Sequence, residues 1–276
     1  MNSIQYNFND KILSFSIPKI MGIVNVTPDS FSDGGKYFSV DDAVNHALKL
    51  IDEGADLIDI GGESTRPGSD PVSLEEELRR TIPVIKNIHQ QRKDVIISID
   101  TTKSEVAKQA LDSGAQIIND ISGLTFDEKM IDIAKEYNSG VVIMHIKGNP
   151  KTMQENPEYR DVVKDVYDFL LVQSIKAKQN DIDKIIVDPG IGFGKRVEDN
   201  FSLIKNLDYF QSLGYPVMIG LSKKSFIGKN LNLDNDQREI GTIILETISV
   251  IKSARIIRTH NVKYCNQLVK LASHIL

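Results

Sequence analysis

From residue 19 onward, short apolar runs alternate with amphipathic segments of helical period, and this alternation restricts the fold more than any other feature. The runs lie at 20–24, 57–60, 95–99, 116–119, 141–144, 184–187, 217–221 and 255–257, eight in all. Helical patterns fall between them at 40–53, 74–91, 103–113, 127–137, 159–180, 197–213 and 240–252, and a last one at 262–275 follows the eighth run. Ser39, Ser73 with Glu76, and Thr102 with Glu105 read as N-terminal caps, while Gly54, Gly114, Gly140 and Gly214 read as left-handed C-terminal caps. Eight βα units in a chain of 276 residues predict an α/β fold of the (β/α)8 TIM-barrel type. An open doubly wound sheet shares the alternation, but its GxGxxG fingerprint should follow the first strand, where NVTPDSF stands instead. Two short alternating runs, 4–8 and 12–15, flank Asn9–Asp10 as a β-hairpin. The expected organisation is therefore one domain, with a hairpin (1–18) capping one end of a barrel (19–276).

Composition removes several classes of function. A net charge of −5 leaves no surplus of Lys and Arg to neutralise a nucleic-acid backbone, so no nucleic-acid partner is expected. No apolar run approaches the roughly 20 residues of a membrane span. The N-terminal residues lack the basic and apolar regions of a signal peptide, so the expected location is cytoplasmic. Cys265 is the sole cysteine, which excludes an internal disulfide and a cysteine-based metal cluster. HExxH and EF-hand spacings are also absent.

In a barrel, the C-terminal strand ends and the loops after them form the reactive face. Those positions carry Asn25; Glu63, Ser64, Thr65 and Arg66; Asp100; Asn119 and Asp120; His145; Asp188; Ser222, Lys223 and Lys224; then Arg258 and His260. Solvated strand ends are often polar, but all eight ends carrying such groups points to a polar ligand. Asp100, Asn119, Asp188 and Lys224 suit a flat heterocycle rich in donors and acceptors. Arg258, His260, Asn25 and the loop 61–68 suit an anion. Competing readings are an Asp188 that only caps the turn before Pro189, an Asn119–Asp120 turn, an Arg258 ion-paired to a helix, and a His145 that packs rather than lines the pocket. The segment DPGIGFGKR, 188–196, resembles a phosphate loop but departs from GxxxxGK[ST], since Arg196 follows Lys195. It reads as a glycine-bent loop that brings Phe193 to a ring.

The blocks NVTPDSFSDGG, GGESTRPG, IDTTK, IINDISG, MHIKGNPKTMQ, DPGIGFGK, LSKKSFIG and IIRTHNV, in this order from about Ile20 to Val262, resemble the dihydropteroate synthases. The resemblance implies a homodimeric barrel that joins 4-aminobenzoate to a (7,8-dihydropterin-6-yl)methyl diphosphate in folate biosynthesis. It implies that Asp100, Asn119, Asp188 and Lys224 hold the pterin, with Phe193 and Arg66 among the substrate contacts. Asn25, Arg258 and His260 would bind the diphosphate, with Mg²⁺ on Asn25, and Thr65 would touch the pterin diphosphate. Phe31, Pro67 and Ser225 would shape the aminobenzoate site. Asp100, Lys224, Arg258 and His260 are the residues expected to carry catalysis. Two positions depart from the family's usual pattern: Lys223 stands where Arg is common, and Asn261 where Asp is common.

Three rival functions make different demands. A pterin-binding methyltransferase has no use for a diphosphate clamp, which NVTPDSFSDGG, ESTRPG and RTH argue for. A catalytically silent relative should have lost some of Asn25, Asp100, Lys224, Arg258 or His260, and all are present. A phosphosugar enzyme would not need the heterocycle set. Arg258→Ala is expected, on this division, to weaken diphosphate binding and spare the pterin.

Overall fold

A computed structural model describes residues 4–27, 39–66 and 68–275. Two antiparallel strands, β1 (Gln5–Phe8) and β2 (Lys11–Ser14), open the chain, joined through Asn9 in the left-handed region at φ 53°. The barrel strands follow as β3 (Lys19–Asn25), β4 (Leu57–Gly61), β5 (Ile96–Asp100), β6 (Ile117–Asp120), β7 (Gly140–Met144), β8 (Ile185–Asp188), β9 (Met218–Gly220) and β10 (Ile256–Thr259). All neighbours pair in parallel, in the order β8-β7-β6-β5-β4-β3-β10-β9. A parallel bridge between Val187 and Val217 joins the two edge strands, so the sheet closes on itself.

Helices α1 (Val40–Asp52), α2 (Leu74–Gln91), α3 (Ser104–Asp112), α4 (Met130–Glu136), α5 (Val162–Gln179), α6 (Val197–Lys205), α7 (Ser225–Leu231), α8 (Glu239–Ile251) and α9 (Val262–Ala272) form the outer ring. Ser39 and Ser73 cap α1 and α2 as expected, by accepting from the N–H groups of Asp42 and Glu76. The expected Thr102 cap is replaced: Asp127 Oδ2 accepts the Ser104 N–H at 2.8 Å. Gly54, Gly114 and Gly214 take positive φ at their helix ends, whereas Gly140 does not. Gly140 instead starts β7, where an added Cβ would come 3.0 Å from the Phe8 ring, and Asn138 takes the left-handed position after α4. The helical pattern at 197–213 resolves into α6 and a 3-10 segment, Leu207–Leu213.

The barrel interior is built in layers because side chains alternate along each strand. Met21, Leu57, Ile96, Ile117, Val142, Ile186, Met218 and Ile256 contribute one apolar side chain from each strand to a buried layer. Tyr6, Phe8, Leu13 and Phe15 of the hairpin pack into the same cluster and close the N-terminal end of the barrel. Tyr6 Oη donates to the Ile185 carbonyl at 2.5 Å, and Lys11 Nζ donates to the Val95 carbonyl at 2.7 Å, fixing the hairpin to strand starts. Two residues further along the strands the interior turns polar. Of the eight positions, Asp59, Ser98, Asn119, Asp188 and Arg258 are polar, following Leu57, Ile96, Ile117, Ile186 and Ile256, while Ile23, Met144 and Gly220 are not. The period of two that buries one layer thus delivers the next as a row of functional groups.

Candidate active site

Above the apolar layer, Thr65, Asp100, Asn119, Ile121, Met144, Asp188, Phe193, Met218, Lys224 and Arg258 line a small cavity of about 20 Å³. Six expected ligand residues, Thr65, Asp100, Asn119, Asp188, Lys224 and Arg258, are therefore brought together, with Phe193 beside them. A second cavity of about 260 Å³ shares Thr65, Asp100 and Ile121 and extends over Glu63, Glu77, Lys103 and Lys151. There the buried Glu77 carboxylate accepts from Thr101 Oγ1 at 2.6 Å and from Lys103 Nζ at 2.5 Å, and Lys103 also pairs with Glu63.

Arg258 is the centre of the charge network. Its Nε donates to Asp59 Oδ2 at 2.6 Å and its terminal nitrogen to Asp100 Oδ2 at 2.7 Å, so its ion pairs are with barrel carboxylates and not with a helix. Asp59 Oδ2 also accepts from Asn119 Nδ2 at 2.9 Å. Burial pushes the Asp100 carboxyl up to about 7; Arg258 opposes the shift, while Asp59, Glu77 and Asp120 add to it. Asp120 is a turn residue, because Ser122 N, Ser122 Oγ and Leu124 N all donate to it.

Asp188 serves the turn and the cavity together. Its Oδ1 accepts the Gly190 N–H at 2.7 Å, and burial raises its pKa to about 6, against the cations Lys224, Arg258 and Lys195. Lys224 lies 4.1 Å above the centroid of the Phe193 ring, a cation–π contact that holds the ammonium at the cavity wall. Desolvation, then repulsion from Arg258, lowers its pKa to about 8.

The loop after β8 is bent by glycines at positive φ: Gly190 at 69°, Gly192 at 83° and Gly194 at 64°. A Cβ on Gly190 would sit 1.9 Å from the His145 carbonyl oxygen, so the loop passes closer than any side chain allows. Lys195 turns inward onto His145 Nδ1 at 2.9 Å and the Phe193 carbonyl at 3.0 Å, and thus anchors the loop instead of facing an anion. His145 is a packing residue with its edge against Phe169, the ring centroids 5.0 Å apart.

At the barrel mouth, the His260 backbone N–H and ring Nδ1 both meet Ser222 Oγ, at 3.3 and 2.9 Å, and Asn25 Nδ2 lies 3.3 Å from Nε2. Desolvation, then the cations Arg258, Lys223, Arg66 and Lys224, lower the His260 pKa to about 3. The residue is exposed, so the surrounding positive charge is the firmer cause, and the imidazole is neutral at physiological pH. Neutral His260 with Nδ1–H donated to Ser222 accepts from Asn25 Nδ2. Arg66 and Lys223 thus add a cationic rim to the cavity cations Lys224 and Arg258 around a neutral ring. Ser225 begins α7 directly after Lys224. Phe31 and Pro67 lie outside the described residues.

The pterin-binding enzyme family matches residues 21–260. The dihydropteroate synthase of Escherichia coli K12 is 47% identical over 253 residues, covering 91% of this chain and 89% of that protein. The Xanthomonas albilineans dihydropteroate synthase solved with 4-aminobenzoic acid superposes with a TM-score of 0.93 at 40% identity, covering 99% of this chain and 98% of the other. A structure of dihydropteroate synthase from the same organism in complex with 7,8-dihydropteroate gives a TM-score of 0.88 at 37% identity, with 99% and 98% coverage. The chain belongs to the pterin-binding enzymes and, within them, to the dihydropteroate synthases, transferases of folate biosynthesis.

Proposed function

We propose that the cavity binds (7,8-dihydropterin-6-yl)methyl diphosphate and joins its methylene carbon to the amine of 4-aminobenzoate by a dissociative substitution. One observation carries this reading: buried acceptors, Asp100, Asn119 and Asp188, share a cavity with Lys224 and Arg258, and that cavity opens beneath a cationic rim. Asp100, Asn119, Asp188 and Lys224 hold the pterin, with Phe193 at its face. Arg258, His260, Asn25 and Thr65 receive the diphosphate. Arg66, Phe31, Pro67 and Ser225 border the aminobenzoate. Because α7 has only seven residues, the Ser225 hydroxyl and the nearby ammonium groups, and not a helix dipole, are the features offered to a carboxylate.

In the reaction, the methylene C–O bond breaks and the diphosphate leaves with the electron pair. The resulting positive charge spreads over the dihydropterin ring. Asp100, with a pKa raised to about 7, is drawn to its ionised form as that cation develops, and the carboxylate stabilises it. Arg258 and the rim stabilise the departing anion. The arylamine nitrogen then forms the C–N bond and its proton passes to the released diphosphate, so no protein nucleophile is required.

Mg²⁺ fits the mouth of the site through Asn25. The contact of Asn25 Nδ2 with His260 leaves the carboxamide oxygen, a hard donor, on the other branch of the side chain. No group of three or more acidic, His or Cys side chains suited to a metal occurs among the described residues, so waters and diphosphate oxygens would complete such an ion's shell. When bound, it would offset the charge of the diphosphate.

The functional unit we propose is a homodimer of single-domain chains, hairpin 1–18 with barrel 19–276, located in the cytoplasm. An exposed isoleucine stripe on α8, Ile240, Ile244, Ile248 and Ile251, supports the second copy. No helix among the described residues is long and apolar enough to cross a membrane. The deciding experiment is diphosphate release measured with both substrates and Mg²⁺. Release that requires both substrates supports the reading, and none from folded protein overturns it.

A further inference from the structure

We propose that Asp59 sets which end of the Asn119 carboxamide faces the ligand, and thereby makes the pocket select a heterocycle edge made of hydrogen-bond donors. Asp59 is fully buried in β4 and does not line the cavity. Its Oδ2 receives both Arg258 Nε and Asn119 Nδ2. A carboxylate held by a guanidinium can only accept, so Asn119 must turn its NH2 toward Asp59 and its oxygen away. That oxygen, Asn119 Oδ1, is buried without a partner among the described residues, on a side chain that lines the cavity.

A buried carbonyl oxygen without a donor is costly in the empty site and is satisfied by a ligand N–H. Asp100 and Asp188 line the same cavity, and one oxygen of Asp188 is already taken by Gly190 N. The inner wall therefore presents acceptors from three strands, β5, β6 and β8, and an amino-substituted ring edge satisfies them. A ring bearing a carbonyl at that edge would set oxygen against oxygen. Were residue 59 an amide, it could offer an NH2 of its own. Asn119 would then be free to rotate and show its NH2 to the cavity.

This inference rests on the assignment of Asn119 to the pterin. It is tested by measuring binding of 6-hydroxymethylpterin and of its lumazine counterpart, in which the 2-amino group is replaced by oxygen. The wild-type protein should prefer the pterin by about 10- to 100-fold, the range set by leaving buried polar groups unpaired. Asp59→Asn should compress that ratio to a few-fold. Exchanging the pair, Asp59→Asn with Asn119→Asp, should restore it, because either carboxylate oxygen of the new side chain is an acceptor. An unchanged ratio in folded Asp59→Asn overturns the inference. Equal weakening of both ligands without recovery in the exchanged pair also overturns it, since that is a purely structural effect. Asn119→Ala separates the two levels: if pterin affinity survives it, the assignment of Asn119 fails. If Asn119→Ala weakens pterin binding while Asp59→Asn keeps the ratio, only the role of Asp59 fails. Should Asp59→Asn not fold, hydrogen exchange of the Asn119 NH2 in the ligand-free wild type decides. Slow exchange is expected for a group bound to Asp59, and solvent-like exchange overturns the inference.

Discussion

At the scale of single residues, the pocket is organised by one arginine between two buried carboxylates. The sequence divides Arg258 from the heterocycle set and so expects Arg258→Ala to spare the pterin. The structure gives a different expectation, because Arg258 is bonded to Asp100 and, through Asp59, linked to Asn119. Removing it leaves two buried carboxylates facing each other, which should cost about 3 kcal/mol of stability, read by thermal or urea unfolding. Affinity for both the pterin and the diphosphate should fall, measured by titration with hydroxymethylpterin and with inorganic diphosphate. The titrating groups also set a pH profile. Asp100 and Asp188, raised to about 7 and about 6, act as carboxylates, so kcat/KM for the pterin diphosphate should fall as pH drops through 7 and more steeply below 6. Lys224, lowered to about 8, acts as a cation, so the rate should also fall as pH rises through 8. Asp100→Asn should reduce kcat about 100-fold or more and move the acid limb down to about 6. Most of these residues are legible in the sequence because they end apolar runs. Asp59 is not, since it stands inside the run LIDIG, where a buried carboxylate looks like a break in a strand. Strand register would have found it: Asp59 follows the apolar layer residue Leu57 at the spacing by which Asn119 follows Ile117.

At the scale of elements, all eight barrel strands and the hairpin are readable from apolar runs, because β-branched residues buried on both faces leave a dense local signal. Short elements are less readable. Helix α7, Ser225–Leu231, and the 3-10 segment Asn235–Arg238 lie in a stretch too brief for helical period to stand out, although Ser225 is legible as a helix start. Gly140 shows a second limit, since a glycine after a helix suggests a cap, while here its lack of a side chain admits Phe8 from a hairpin far away in sequence. The loop after β8 is the element where shape matters most to the site, because it starts from Asp188 and carries Phe193. Two alanine substitutions, at Gly190 inside this loop and at Gly214 outside it, separate backbone strain from collision. Gly214 has φ 82° and nothing within 4 Å of an added Cβ, so Gly214→Ala should cost about 1 kcal/mol from the left-handed backbone alone. Gly190 has φ 69° and a carbonyl oxygen at 1.9 Å, so Gly190→Ala should cost roughly 3 kcal/mol and displace the loop. Unfolding measurements rank the pair. Pterin affinity should drop only for Gly190→Ala, because Gly190 N–H holds Asp188 and the same loop, through Phe193, supports Lys224.

At the scale of the whole molecule, the two ends of the barrel do different work. The hairpin fills the N-terminal end with aromatic side chains, which supports the polar layer from below and keeps that end dry. On the outside, α8 has opposed faces with distinct tasks. Its inner face reaches the site: Thr242 Oγ1 accepts the Lys223 N–H at 3.1 Å, and Arg238, just before the helix, donates to the Lys223 carbonyl at 3.1 Å. Its outer face carries Ile240, Ile244, Ile248 and Ile251, exposed by 76%, 54%, 40% and 57%. Positions four, eight and eleven residues after the first lie on one side of a helix, so the stripe is continuous. Each isoleucine, fully buried against a second copy, would contribute up to about 1.5–3 kcal/mol. A glutamate at Ile244 would put a charge at the centre of that contact while still facing water in the monomer. In the homodimer proposed above, Ile244→Glu should therefore shift the protein from dimer to monomer in sedimentation velocity, with an unchanged circular dichroism spectrum. Because α8 holds Lys223, the monomer should show a higher KM for the pterin diphosphate with a smaller change in kcat. A wild-type protein that sediments as a monomer at micromolar concentration would remove the dimer from this account and leave the barrel's own chemistry intact.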